Sequence, residues 1–297
     1  SVDAKVQLYP KFRSPEQLAK RIQNDFTSDL DKTRAAFKWL TNNISYSLRL
    51  AQKGRRAIEF QYFNEEERDR KLQQIKDDLV KNAFIKRIGV CEEYAQSLKK
   101  LCDLMGVESQ VLKGNVRNSA LEIGRTSTTT NHAWNIVKIN NNWIIIDATW
   151  AAGYSMNGRW KKSYTDYYFD IPYSLVGKTH FPADRKWQII WNVRSKEKYY
   201  NQPIYYEAFL RRNLQFKKNI MGTIVVKRGN KIPLEIKGLS INDKIVIGFA
   251  NEKYSKLPTV SKSEFGDQLL IEAPRSNTQM FLFIDDRLAS IFKVVTR

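Results

Sequence analysis

Apolar residues recur at three- and four-residue steps through much of the first half of the chain and at two-residue steps through its last third. The first spacing predicts helices and the second predicts strands. Ser14-Pro15-Glu16-Gln17 has the form of a capping box, in which the Ser14 hydroxyl accepts from the Gln17 N–H and the Gln17 side chain reaches back. Pro15 then sits at the first helical position, where its missing N–H costs nothing. A second helix is predicted over 29–42, with Ala35, Ala36, Trp39 and Leu40 on one stripe and Asn42-Asn43 at its end. Dense mixed charge over 55–78 reads as a solvated helix face, with a docking surface as the alternative. After a turn at Gly89, a helix is predicted over 91–105: Tyr94, Ala95, Leu98, Leu101, Cys102 and Met105 keep its period, and Gly106 stops it.

Residues 107–116 read as a strand, and 117–131 as a polar loop running up to His132. Two strands, 132–139 and 143–149, meet at Asn140-Asn141-Asn142, a hairpin signal. The stretch 150–200 is rich in aromatic rings, read as a loop-rich region packed on the sheet or as the lining of a groove for a peptide or glycan. From residue 213 the pattern changes to short β-rich runs at 223–227, 233–236, 244–249, 268–271, 279–284 and 290–295, separated by turns such as Gly229-Asn230. These six runs predict a small β-sandwich. The expected organisation is a helix-and-sheet domain over 1–212 and a β-sandwich domain over 213–297. The latter holds no His and no Cys, so it is expected to be an accessory or adhesion module.

Charge and composition narrow the function. With 50 Lys+Arg against 31 Asp+Glu, the 297-residue chain carries a formal charge of +19. The excess is spread at a similar density over both expected domains, so no concentrated nucleic-acid stripe stands out and nucleic acid is not the expected partner. Uniform basicity instead points to an anionic neighbourhood, such as a membrane face or a cell-wall polymer. No apolar run approaches the roughly 18 residues of a membrane span. The chain begins Ser1-Val2-Asp3 with no basic-then-apolar leader, as a processed exported protein also would. Export to a cell envelope is the weak expectation, and oligomeric state stays open. Cys91 and Cys102 lie 11 residues apart on one predicted helix, about 16 Å along its axis, too far for a disulfide. His132 and His180 have no zinc-site spacing, and no acidic cluster resembles a calcium loop, so no metal or cofactor is expected.

Cys91 opens its helix, where N–H groups favour an anion, and cysteine reacts as the thiolate. Glu92 and Glu93 would oppose ionisation if they folded back, so a cation is needed, and His132 can supply it. A buried structural cysteine is the alternative, which suits Cys102. A two-residue turn at Asn140-Asn141 pairs residues whose numbers sum to 281. That register puts His132 and Asp147 on one face as diagonal neighbours, compatible with a triad. A three-residue turn would put Asp147 on the other face.

The segment Gly89-Val90-Cys91-Glu92-Glu93-Tyr94-Ala95, continued by Leu101-Cys102 and Gly106, resembles the nucleophile segment of the transglutaminase-like superfamily. Asn131-His132-Ala133-Trp134-Asn135-Ile136-Val137 resembles its histidine strand, and Trp143 to Trp150 its aspartate strand. Phe37 to Tyr46 and His180-Phe181-Pro182 with Trp187-Gln188-Ile189-Ile190 resemble the kyphoscoliosis-peptidase branch. The resemblance implies a papain-like α+β core, with a nucleophile helix packed on an antiparallel sheet. It implies Cys91 as nucleophile, His132 as base and acid, and Asp147 as its orienter. The Cys91 N–H and Tyr46 become the expected oxyanion donors, Trp134 and Trp150 walls of the site, and His180 a structural residue. The expected activity is a cysteine hydrolase acting on a peptide or protein substrate. Acyl transfer to an amine and a non-catalytic scaffold remain the alternatives.

Overall fold

The computed structural model describes residues 1–53, 60–193 and 195–297, and the first residues of the mixed-charge stretch, 55–59, lie outside that set. The described chain falls into two units: residues 1–113 with 131–172, and residues 114–130 with 173–297.

The first unit holds helices α1 (Val2–Gln7), α2 (Pro15–Asp25), α3 (Asp29–Asn43), α4 (Leu48–Lys53), α5 (Glu65–Lys86), α6 (Cys91–Leu104) and α7 (Ala148–Ala152). Its strands are β1 (Ser45–Tyr46), β2 (Ile88–Gly89), the first part of β3 (Ser109–Val116), β4 (His132–Ile139), β5 (Asn142–Ile146), β6 (Gly153–Met156) and β7 (Arg159–Lys162). Ser14 caps α2, its hydroxyl accepting from the Gln17 N–H at 3.3 Å. Helix α3 buries Ala35, Ala36, Phe37, Trp39 and Leu40, and Trp39 stacks on Phe84 of α5 with ring centroids 5.0 Å apart. Helix α5 carries Glu65, Glu66 and Glu67 in its first turn, where the dipole favours them. It buries only Val80, Ala83 and Phe84, all towards its C-terminal end, so its charged N-terminal half is solvated. Helix α6 turns Tyr94, Ala95, Leu98, Leu101 and Cys102 inward. The Asn135 side chain donates to the Ala95 carbonyl at 2.9 Å, fixing α6 to β4.

Strands β5, β4 and β3 lie side by side. The β4–β5 hairpin pairs Asn135 with Ile146 and Ile139 with Asn142, the register whose numbers sum to 281. Asn140 and Asn141 both take positive φ, 48° and 65°, as a two-residue turn between twisted strands requires. The expected strand over 143–149 ends early, at Ile146. Asp147 stops it because its side chain accepts from the N–H groups of Thr149 and Trp150, making it the N-cap of α7.

In the second unit, β3 ends at Val116 and pairs antiparallel with β8 (His180–Pro182). The loop expected over 117–131 contains one short 3-10 turn, Ala120–Glu122. Helices α8 (Tyr173–Thr179), α9 (Arg185–Ile190) and α10 (Lys196–Asn201) form within the stretch expected to be loop-rich, and α11 (Glu207–Leu210) lies beyond it. They are followed by strands β9 (Ile204–Tyr205), β10 (Gln215–Phe216), β11 (Thr223–Val226), β12 (Lys231–Lys237), β13 (Ile245–Phe249), β14 (Thr259–Lys262), β15 (Asp267–Glu272), β16 (Thr278–Ile284) and β17 (Arg287–Thr296), with β9 lying between α10 and α11. Two sheets form, in orders β10-β12-β15-β14 and β11-β17-β16-β13. Alternate residues turn inward, as with Ile232, Leu234 and Ile236 on β12. Strands β10 and β14, too short or too polar to stand out by periodicity, complete the first sheet. Residue 212 marks the change in pattern along the chain, whereas the compact units part at 172. Packing explains the difference: β9 pairs with β17, and Phe209 stacks on Phe216 at 4.5 Å.

Candidate active site

Cys91 is the first residue of α6, partly exposed, and its thiol is free. Val90, the N-cap, has no side-chain acceptor; instead the Glu93 carboxylate folds back and accepts from the Val90 N–H at 2.9 Å. Glu93 thus does fold back, its carboxylate tied to the backbone ahead of the thiol, and the cation that this arrangement calls for is His132. Glu92 points elsewhere, accepting from the Gln96 amide at 2.9 Å and pairing with Lys113 at 3.5 Å. Gly89 makes the fold-back possible, since a Cβ there would lie 2.6 Å from the Glu93 Cβ. Gly89→Ala is therefore expected to displace Glu93 and leave a buried N–H unpaired, costing about 1–3 kcal/mol. Urea unfolding of Gly89→Ala measures this loss, and unchanged stability would refute the role.

His132 opens β4 and is buried. Its Nε2 lies 2.6 Å from Asp147 Oδ2, and its ring is hydrogen-bonded to the Cys91 thiol. Nε2 being committed to the carboxylate, Nδ1 is the nitrogen left to face the sulfur. Burial pushes the imidazole towards neutrality, but Asp147, and then Cys91, more than offset it and raise the pKa well above the usual histidine range. Asp147 is wholly buried. Its Oδ1 accepts from Thr149 N at 2.9 Å and Trp150 N at 3.0 Å, which leaves Oδ2 aimed at the histidine. One carboxylate both caps a helix and orients the imidazole.

Two indoles flank the ring: the Trp134 centroid is 6.0 Å from that of His132 and the Trp150 centroid 5.9 Å. Tyr46 lies in β1, paired in parallel with Gly89, two residues before the cysteine. The Tyr94 hydroxyl donates to the Ile44 carbonyl at 2.5 Å, drawing β1 against the first turn of α6. Burial, together with the charges of Cys91 and Asp147, raises the Tyr46 phenol to about 12, so it keeps its proton at neutral pH and can donate. Trp160 of β7 packs against it, with centroids 5.3 Å apart. Sequence reasoning did not single out Trp160, and it placed Tyr94 on the helix stripe and in the nucleophile segment with no role of its own. The Asn157-Gly158 turn, which faces Trp160 towards Ser155 in a hairpin, was the available signal for the first.

Cys102 is fully buried, and burial pushes its thiol up to about 12, which keeps it protonated and inert. His180 belongs to the second unit, where it is buried on β8 with Nδ1 2.8 Å from the Thr179 hydroxyl. A half-buried thiol at a helix start, an imidazole held by a buried carboxylate and a protonated phenol beside them can form and break an acyl–sulfur bond.

Comparison with known proteins places this geometry in context. Residues 16–148 match the model of the transglutaminase-like superfamily. The kyphoscoliosis peptidase of Homo sapiens is 23% identical over 202 residues, covering 67% of this chain and 28% of its own. Hillarin of Drosophila melanogaster is 23% identical over 226 residues, covering 70% and 25%. The chain thus spans little more than a quarter of the length of these relatives. Among solved structures, a TGase aligns with a TM-score of 0.31 at 18% identity, over 53% of this chain and 37% of that one.

Proposed function

We propose, from the premise that this chain carries a transglutaminase-like domain over residues 16–148, that it is a cysteine hydrolase of peptide or amide bonds. The observation that carries the reading is the buried His132–Asp147 contact of 2.6 Å, with the thiol of Cys91 on the same imidazole. The Cys91 thiolate attacks the carbonyl carbon, forming a C–S bond and an oxyanion. That oxyanion meets the Cys91 N–H, which as the first helical N–H has no partner within the helix, and the Tyr46 hydroxyl. The C–N bond then breaks as the His132 imidazolium gives its proton to the departing amine. In the second half, neutral His132 takes a proton from water, hydroxide adds to the thioester, and the acid and the free thiol are released. Asp147 holds the imidazole throughout and stabilises its cationic form. Trp134 and Trp150 wall the ring. The β-rich stretch over 213–297 is proposed to act as an accessory or adhesion module, and an anionic envelope surface as the setting that the chain's basic character suits.

The test is incubation with casein, with and without a fluorescent primary amine. Fragments that disappear in Cys91→Ala are the expected result. Label uptake without cleavage would replace hydrolysis by acyl transfer, and neither product would return the chain to the scaffold reading.

A further inference from the structure

Four cations gather around β1, the strand that carries Tyr46, and among the described residues none of them forms an ion pair. Lys162 follows Trp160 by two positions on β7, so the two side chains share a face. Its ammonium donates to the carbonyls of Asn42 and Ile44, at the C-terminal end of α3, where the helix dipole favours a positive charge. Arg87 sits in a left-handed conformation between α5 and β2, with φ of 59°. Its guanidinium lies over Trp39 at 5.0 Å and donates to the Phe12 carbonyl at 2.5 Å. Its Nη1 is buried with no hydrogen-bond partner.

The other two cations, Lys11 and Arg13, are exposed on the segment that Arg87 grips. Burial and the neighbouring charge of Lys11 both destabilise the Lys162 cation, and burial and Arg13 do the same to Arg87; among the described residues no carboxylate acts on either. Other basic side chains of this unit do find acids, as Arg34 finds Asp3 at 2.7 Å and Lys5 finds Asp25 at 3.0 Å. A strongly basic chain is bound to leave some cations unpaired. What distinguishes these four is that they come from three separate segments and converge beside the wall that Tyr46 and Trp160 form next to Cys91.

We propose that Lys11, Arg13, Arg87 and Lys162 form a docking site for acidic side chains of the acyl donor, delivering a carboxylate-bearing peptide to Cys91. This rests on the hydrolase reading above. The reacting bond in that reading is an amide, so the anion that arrives with it is a carboxylate on the same chain. Lys11, Arg13 and Lys162 are exposed and supply charge, whereas Arg87, with its Nη1 buried, holds the Lys11–Arg13 segment in place through the Phe12 carbonyl.

The experiment uses fluorescein-labelled hexaglutamate, its anisotropy measured at about 20 mM salt, where charges act over distances beyond 10 Å. Lys11→Glu with Arg13→Glu alters only exposed side chains and should weaken binding at least about fivefold. Lys138→Glu is the control, six residues along β4 from His132, about 20 Å away, and should change binding less than twofold. Hexaglutamate should also slow iodoacetamide alkylation of Cys91 in the unaltered protein but not in the double variant. Binding that survives the double variant, or that Lys138→Glu weakens equally, would overturn the site. So would an absence of protection at Cys91, or a polyphosphate of equal charge binding more tightly through the same residues. The hydrolase reading fails differently, through an alkylation rate that His132→Ala leaves unchanged, and the two failures can be told apart in one set of measurements.

Discussion

Replacement of Cys91 by Ala is expected to remove about ten-thousand-fold or more of the activity while leaving the fold intact. The size of the effect follows from the absence of a substitute: Cys102, the other thiol, is fully buried and held protonated by that burial. The preserved fold follows from how α6 begins. Its first turn is secured by Glu93 on the Val90 N–H and by Tyr94 on the Ile44 carbonyl, and neither contact uses the sulfur. Cys91→Ser should be nearly as inactive, because a hydroxyl does not ionise beside an imidazolium as a thiol does. The measurement is initial cleavage rate alongside urea unfolding. Activity retained at a tenth or more of the original would remove Cys91 from the chemistry, and a large stability loss would give it a structural role instead.

Asp147→Asn is the second large effect, an expected fall of about a thousand- to ten-thousand-fold in kcat. An asparagine can still cap α7 through its oxygen, so the loss isolates the charge. Without the carboxylate, the largest influence raising His132 is lost, and the imidazole should become neutral near pH 7. The chain has just two histidines, so imidazole resonances in NMR report this directly. The sign of the stability linkage is fixed by direction. His132 is raised in the folded protein, so its contribution is complete below the unfolded value of about 6.5 and fades as pH rises through the folded value. The stability gap between the protein and Asp147→Asn should therefore be widest at mildly acidic pH and narrow in alkali. A gap that widens in alkali would mean that His132 is buried neutral. Asp147→Ala should cost more, because the cap is lost as well, adding about 1 kcal/mol.

Several features were legible without coordinates because they depend on neighbours a few residues apart. Ser14 and Pro15 mark a helix start, Gly106 marks a stop, and Asn140-Asn141 offers the two-residue turn whose register carries His132 and Asp147 to the same face. Other features were not legible. The apolar run over 143–149 reads as an unbroken strand, yet Asp147 ends it, since its side chain accepts from the N–H groups of Thr149 and Trp150. The short strands β10 and β14 carry too few alternating positions to register, and each exists because β12 or β15 offers it an edge.

The amino-acid sequence by itself determined the helical and β-rich halves and the three segments that bear Cys91, His132 and Asp147, and it narrowed the hairpin to two registers, between which the structure chose. Local periodicity, turn chemistry and motif spacing all act within a short window of chain. Tertiary structure alone decided which oxygen of Asp147 faces the histidine, that Glu93 caps the cysteine helix, and that Tyr46 lies under Trp160 beside the thiol. It also joined β9 to β17 across more than 80 residues of chain. These arrangements depend on burial and on hydrogen bonds between distant segments, whose energies are settled only when the core closes around them.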